Sequence, residues 1–182
     1  NPEYLYAIVE AAQGQSGFFR SLDRGATWEK RSSFATSGNY YQEIVAHPSN
    51  PDIVYSMDTY LQWTTDGGKT FEMVGEQYKH VDNHCMWIDP DDTDHYLVGC
   101  DGGIYESFDA AKTRNFKSNL SVTQFYKVAV DNTLPFYYVY GGTQDNFSLG
   151  GPSRNRSGNG IVNSDWVVTQ GGDGFESQID PR

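Results

Sequence analysis

Basic residues are scarce in this chain: 13 Lys and Arg stand against 24 Asp and Glu, a net charge of −11. A nucleic-acid surface neutralises phosphates with clustered Lys and Arg, so that partner class is excluded. The longest basic cluster, Arg154 and Arg156 in SRNRSG, is short, flanked by Gly and Ser, and reads as a solvated loop. Long apolar runs are also missing. None approaches the roughly 18 residues of a spanning helix, so no membrane span is predicted. There is no initiator Met and no signal-peptide pattern, which fits a mature chain or an excised segment. Helical periodicity over about 12 residues is absent. So are a serine-nucleophile motif and, despite 19 Gly, any Gly-x-Gly-x-x-Gly phosphate loop.

Aromatics and turn formers are abundant. The 13 Tyr, 10 Phe and 4 Trp in 182 residues, with the glycines, predict many short strands joined by tight turns in one globular domain or part of a larger one. The chain repeats. SLDRGATW (Ser21–Trp28) and TTDGGKTF (Thr64–Phe71) share a layout, and Asp66 follows Asp23 by 43 positions. Asp109 lies 43 further on, in a degraded copy that keeps Ser107. The turns at His47–Pro48, Asp89–Pro90 and Asp131–Asn132 recur every 42 residues, each between two strand-like segments. A period of about 40–50 residues with several short strands per unit predicts an all-β propeller of four-stranded antiparallel blades. Strands of the third blade are expected near 84–88, 96–100, 103–107 and 115–118. One propeller region over 1–182 is expected, with units of approximately 1–40, 41–80, 81–123 and 124–182 and the start at the second strand of a blade. NPEYLY, matching NPDIVY, and FESQIDPR, matching CMWIDPDD, put the two ends at one phase of the repeat. Either a closed four-bladed ring or, the reading favoured here, a section of a larger ring follows.

Ser21, Asp23, Gly25, Thr27 and Trp28, and again Thr64, Asp66, Gly68, Thr70 and Phe71, resemble the Asp-box, or BNR repeat. In such a turn the carboxylate accepts backbone N–H groups, Gly takes the positive-φ position, and the aromatic packs between blades. Asp-boxes occur in sialidases, xyloglucanase-type glycoside hydrolases and sortilin-type receptors. The whole chain, HVDNHCMWIDPDDTDHYLVGCDGGIYESFD above all, is similar to the large bacterial BNR/sortilin-like propeller proteins, often labelled glycosyl hydrolases. That resemblance implies a carbohydrate-related, exported propeller. Two departures bear on activity. Arg20, Arg24 and Arg31 crowd one blade in place of a sialidase arginine triad, and neither catalytic acid of the xyloglucanases has a matching motif.

In a four-stranded meander the Asp-box turn shares a face with the turn between strands one and two. The opposite face, where propellers usually bind ligands, receives EQYKHVDNH, CDGG, TQDN and QGGDGF. His80, Asp82, His84, Asp101, Gln144, Asp145, Asn146 and Asp173 are therefore expected as ligand-binding residues. Tyr40, Tyr41, Tyr60, Trp63, Phe125 and Tyr126 are expected near the same rim. Carboxylates, amides and aromatic faces suit a glycan. A glycosidase pair, if one exists, is drawn from Asp82, Asp101, Asp145 and Asp173. Alternation across His80-x-Asp82-x-His84 places three side chains on one side of an extended segment, a spacing open to a metal with Asp101 or to an inter-blade hydrogen-bond network. Gln144–Asp145–Asn146 is open to a hairpin cap or to a structural calcium, though without EF-hand spacing. No cofactor is expected.

Cys85 and Cys100 are equidistant from the centre of the turn at Asp91–Asp94. In a regular hairpin they face each other, so a disulfide and two buried thiols are both open. A disulfide suits an extracellular, periplasmic or cell-surface location. Sequons occur at Asn119, Asn146 and Asn155. Three functions remain: a section binding a glycan or peptide, a glycoside hydrolase section, and a structural subunit whose blade edges meet a partner or further blades.

Overall fold

The structure, a computed structural model, describes residues 1–41, 43–120 and 122–180. They form two compact units, Asn1–Ser118 and Asn119–Arg182. The first unit holds three antiparallel meanders. They are β1 (Leu5–Val9), β2 (Gly17–Ser21) and β3 (Glu29–Ser32), then β4 (Ile44–Ala46), β5 (Val54–Ser56), β6 (Gln62–Thr64) and β7 (Glu72–Met73), then β8 (Asn83–Ile88), β9 (Tyr96–Cys100), β10 (Gly103–Ser107) and β11 (Asn115–Phe116). The second unit holds β12 (Lys127–Val130), β13 (Tyr138–Gly142), β14 (Ser148–Pro152) and β15 (Val167–Gln170), with one 3₁₀ turn at Asn163–Asp165. Within each sheet every strand pairs with its sequence neighbour, as in propeller blades. The chain is all-β, built of blade-like sheets.

Blades of the first unit meet through alternate strand residues. Tyr55, Met57, Leu61 and Val74 from one blade pack with Ile88, Tyr96, Val98 and Ala111 from the next. Phe18, fully buried, contacts Phe71 edge-on at 5.2 Å, and Phe71 stacks on Phe34 at 3.7 Å. Burying a large apolar side chain contributes about 1.5–3 kcal/mol, so these two seams carry much of the unit's stability.

The repeated turns fasten each blade locally. Asp23 accepts the Thr27 amide at 2.8 Å and its hydroxyl at 2.6 Å, while the Ser21 hydroxyl accepts the Gly25 amide at 2.8 Å. Asp66 does the same for Thr70, with Thr64 accepting from Gly68. The degraded third copy forms the same turn: Asp109 holds Thr113, and Ser107 accepts the amide of Ala111. Arg24, Gly67 and Ala110 each take a positive φ and donate an amide to the carbonyl of Glu3, Asp52 and Asp94, clamping the two turns on that side of the blade.

Three expectations are corrected. Phe71 packs between blades, but Trp28 does not: it is 46% exposed and folds back to bond the Gly25 carbonyl. The cysteines, expected to face each other with bridge and free thiols both open, do not face each other and are not bridged. The β8–β9 turn centres on Asp92, closed by the Asp89 amide on the His95 carbonyl, so Cys85 faces Gly99. An irregularity between Asn83 and Cys85 then sets Asn83 opposite Cys100. Both thiols are free, Cys85 exposed and Cys100 partly buried, with burial raising the Cys100 pKa. Finally, Phe175–Ile179, which the match of FESQIDPR to CMWIDPDD makes the counterpart of an expected strand, forms no strand. The segment before it bonds to the β13–β14 turn, Gly174 donating to the Thr143 carbonyl.

Candidate functional site

Three links converge on the side of the first unit away from the repeated turns. They are the connection from β3 to β4, the β5–β6 turn, and the connection from β7 to β8. The last is welded to the second by backbone bonds: Val74 donates to Leu61, Asp82 to Thr59 and Asn83 to Asp58. A buried polar network stiffens the weld. The Lys79 ammonium, its side chain fully buried, donates to the His80 carbonyl at 2.7 Å and to Asn83 Oδ1 at 2.6 Å. It lies 3.1 Å from Glu76 Oε2, close enough to neutralise that carboxylate although off the hydrogen-bond direction. Glu76 Oε1 accepts the Leu61 amide, and Asn83 Nδ2 donates to the Asp58 and Thr59 carbonyls. A buried lysine is tolerated only with such partners.

On this support sits a connected set of four side chains. The Tyr41 hydroxyl donates to Asp82, the Tyr41 ring stacks on His84 at 5.6 Å and 20°, and His84 Nε2 lies 2.7 Å from Asp101 Oδ1. Burial, then the Asp82 carboxylate, push the Tyr41 hydroxyl up to about 12, so it stays a donor at neutral pH. The cleft beside them, about 430 Å³, is lined by Asn39, Tyr40, Tyr41, Glu43, Met57, Asn83 and His84. No Lys or Arg is among these lining residues. Such a lining offers acceptors and donors for hydroxyl groups and disfavours anions.

Sequence reasoning placed three of these groups. Asp82, His84 and Asp101 come together as expected, joined by Tyr41. His80 does not join them. Asp82 takes φ +64°, which breaks the extended alternation and turns His80 onto Gly102, where a methyl would lie 2.5 Å from the His80 Cβ. The three side chains therefore do not share one side. Among the described residues no group of three or more His, Cys, Asp or Glu is placed to hold a metal. Trp63 also leaves the expected rim, bonding Glu72 and packing on Tyr55. Glu43, Asn39 and the buried Glu76–Lys79–Asn83 network were not anticipated. Nothing in EQYKHVDNH distinguishes a buried lysine from a solvated one.

Gln144, Asp145, Asn146 and Asp173 form a separate group within the second unit. Asp173 Oδ1 accepts the Asp145 amide at 2.8 Å, Gln144 Oε1 accepts the Tyr126 hydroxyl at 2.6 Å, and Asn146 donates to the Gln144 carbonyl. Asp145 and Phe147 hold positive φ in this tight turn, so these polar groups fasten the turn to the 171–174 segment. A broad cleft of about 620 Å³ alongside is lined by Tyr140, Gln170, Asp173, Phe175, Glu176 and Gln178, among others.

No protein-family model matches the chain, and no curated protein matches it in sequence. Solved structures do match its fold. A GH74 enzyme of Niastella koreensis is similar over 84% of this chain and 27% of its own, at 18% identity and a TM-score of 0.57. An ancestral GH74 enzyme matches 82% of this chain and 22% of its own, at 16% identity and a TM-score of 0.48. The GH74 xyloglucanase of Xanthomonas campestris matches 82% and 27%, at 15% identity and a TM-score of 0.45. The chain thus shares the fold of part of the Niastella enzyme and spans about a quarter of its length. Among the described residues no helix is long and apolar enough to cross a membrane.

Proposed function

We propose that this chain is a ligand-binding section of an exported Asp-box propeller related to the BNR/sortilin-like proteins, and that it recognises a neutral glycan at the cleft of the first unit. The observation that carries the reading is the connected set Tyr41, Asp82, His84 and Asp101 beside a cleft free of Lys and Arg. Carboxylates and an imidazole fixed by one another accept and donate to sugar hydroxyls without further ordering, and Tyr40, 73% exposed on the lining, offers a face for a pyranose. Gln144, Asp145, Asn146 and Asp173 are a weaker candidate set, since their hydrogen bonds close a turn. Export rests on the Asp-box resemblance alone, the thiols being unpaired.

Calorimetric titration with cello-, xylo- and mannohexaose tests the reading. At least one is expected to bind, and Asp82→Asn and Asp101→Asn are each expected to weaken it by about tenfold or more with the fold retained. Binding that survives both substitutions, or binding of an unstructured peptide and of no glycan, contradicts it.

A hydrolytic role is the second reading, favoured by two neighbouring acidic residues joined to the cleft-lining Tyr41 and His84: the Asp101 amide donates to the Asp82 carbonyl at 3.2 Å, Asp82 accepts from Tyr41, and Asp101 pairs with His84. Retaining and inverting glycosidases both work with a carboxyl pair. Release of new reducing ends from the bound hexaose, lost in Asp82→Asn and in Asp101→Asn, supports it. Binding without release confines the section to recognition.

A further inference from the structure

Tyr78 is held in a conformation that its side chain disfavours, and it is presented almost entirely to solvent. It lies on the link that carries Asp82, within a turn closed by the Lys79 amide on the Glu76 carbonyl at 3.3 Å. Its φ is +61°, at the turn position that ordinarily selects Gly or Asn. A bulky residue at positive φ is uncommon and costs stability. The ring recovers none of that by packing, being 88% exposed.

The two end residues of the turn explain how the conformation persists. Glu76 and Lys79 are locked inward by their ion pair, the Leu61 amide and the Asn83 side chain. The buried network therefore over-determines the turn and leaves Tyr78 at its tip. Strain maintained by surrounding structure, with no local packing reward, is a feature of ligand-contacting positions. The same link is bonded to the β5–β6 turn on both sides of Tyr60, itself 48% exposed, so two aromatic faces stand on loops fixed to one another.

We propose that Tyr78 is a stacking residue that receives a pyranose ring of the glycan held at the Tyr41–Asp82–His84–Asp101 cleft. The assignment rests on the glycan reading of that cleft. Its occupant follows from the lining: neutral, hydroxyl-bearing, and carrying an apolar C–H face that an aromatic ring covers. A single sugar in the cleft does not need Tyr78; an oligosaccharide extending from it along the link does.

The discriminating experiment compares affinity and thermal stability in the same variants, because a structural role and a binding role move them in different directions. Titrations use the binding hexaose and the matching disaccharide. Tyr78→Gly is expected to raise Tm by about 2–4 °C by relieving the strained turn, yet to weaken hexaose binding by about tenfold, with the disaccharide little changed. Tyr78→Trp is expected to keep hexaose affinity. If Tyr78→Gly and Tyr78→Ala bind hexaose as the unsubstituted chain does, while Asp82→Asn does not, the stacking role is overturned and the cleft reading stands. If the unsubstituted chain binds none of the three hexaoses, the cleft reading falls and this proposal with it.

Discussion

Two alanines occupy backbone positions that the other blades fill differently. Ala110 and Ala111 sit at φ +53° and +77°, where the second blade has Gly67 and Gly68 and the first has Arg24 and Gly25. The Asp109 turn closes regardless, because its hydrogen bonds outweigh the alanines' reluctance. Ala110→Gly is therefore expected to stabilise the protein by about 0.5–1 kcal/mol, read as a shift in urea midpoint at constant m. Ala111 is a poorer choice, since its methyl is buried in the seam between blades. A different single-residue effect is expected at His95. Its ring stacks on Phe108 at 4.3 Å and lies between Glu106 at 3.0 Å and Asp89 at 3.4 Å, with Lys117 also on Glu106. The Glu106 bond raises the His95 pKa most, desolvation opposes it, and the Asp89 bond adds to the rise. A raised histidine pKa stabilises fully below the ordinary value near 6.5 and loses that contribution as pH rises through the raised value. Stability is therefore expected to fall as pH rises above about 6.5, with a flatter profile in His95→Asn, measured by denaturant midpoints.

At the scale of turns and strands, the repeated hairpins act as fasteners. Thr27 hydroxyl and amide bonds, then Ser21, hold the Asp23 carboxyl down at about 2, and equivalent bonds outweigh desolvation to lower Asp66. A depressed carboxyl stabilises above its ordinary value near 3.8 and loses the effect as pH falls through the depressed one, so Asp23→Asn is expected to flatten the melting profile between about pH 4 and pH 2. Phe71 and Trp28 occupy the same motif position with different surroundings. Phe71→Ala is expected to cost about 2–3 kcal/mol through the lost stack on Phe34 and edge contact with Phe18, and Trp28→Ala less than about 1. This contrast marks what a sequence makes legible. The Asp, Thr and Gly of the turns are read locally, so the 43-residue spacing located the strands, and 96–100 and 103–107 coincide with β9 and β10. Register is not read so easily. A turn centred on Asp92 moved the β8–β9 pairs from Cys85 to Ile88 by one residue and separated Cys85 from Cys100. The cleft was half legible: loop identity brought in Asp82, His84 and Asp101, but the positive φ of Asp82 and the burial of Lys79 depend on partners distant in sequence.

At the scale of the molecule, the acidic surface and the distribution of roles over the blade agree. One side of each blade in the first unit is closed by Asp-centred turns whose carboxylates are spent on backbone amides and hydroxyls. The other side carries carboxylates bonded to Tyr and His at an open cleft. The proposed recognition therefore uses the second side. Titration of the ¹⁵N-labelled chain with the binding hexaose, followed by NMR, tests this most directly. Amide shifts are predicted at Tyr41, Tyr78, Asp82, His84 and Asp101, with Thr27, Thr70 and Thr113 unmoved. Shifts confined to those three threonine turns, or no shift along 76–84 and at 101, would contradict the assignment of recognition to this cleft.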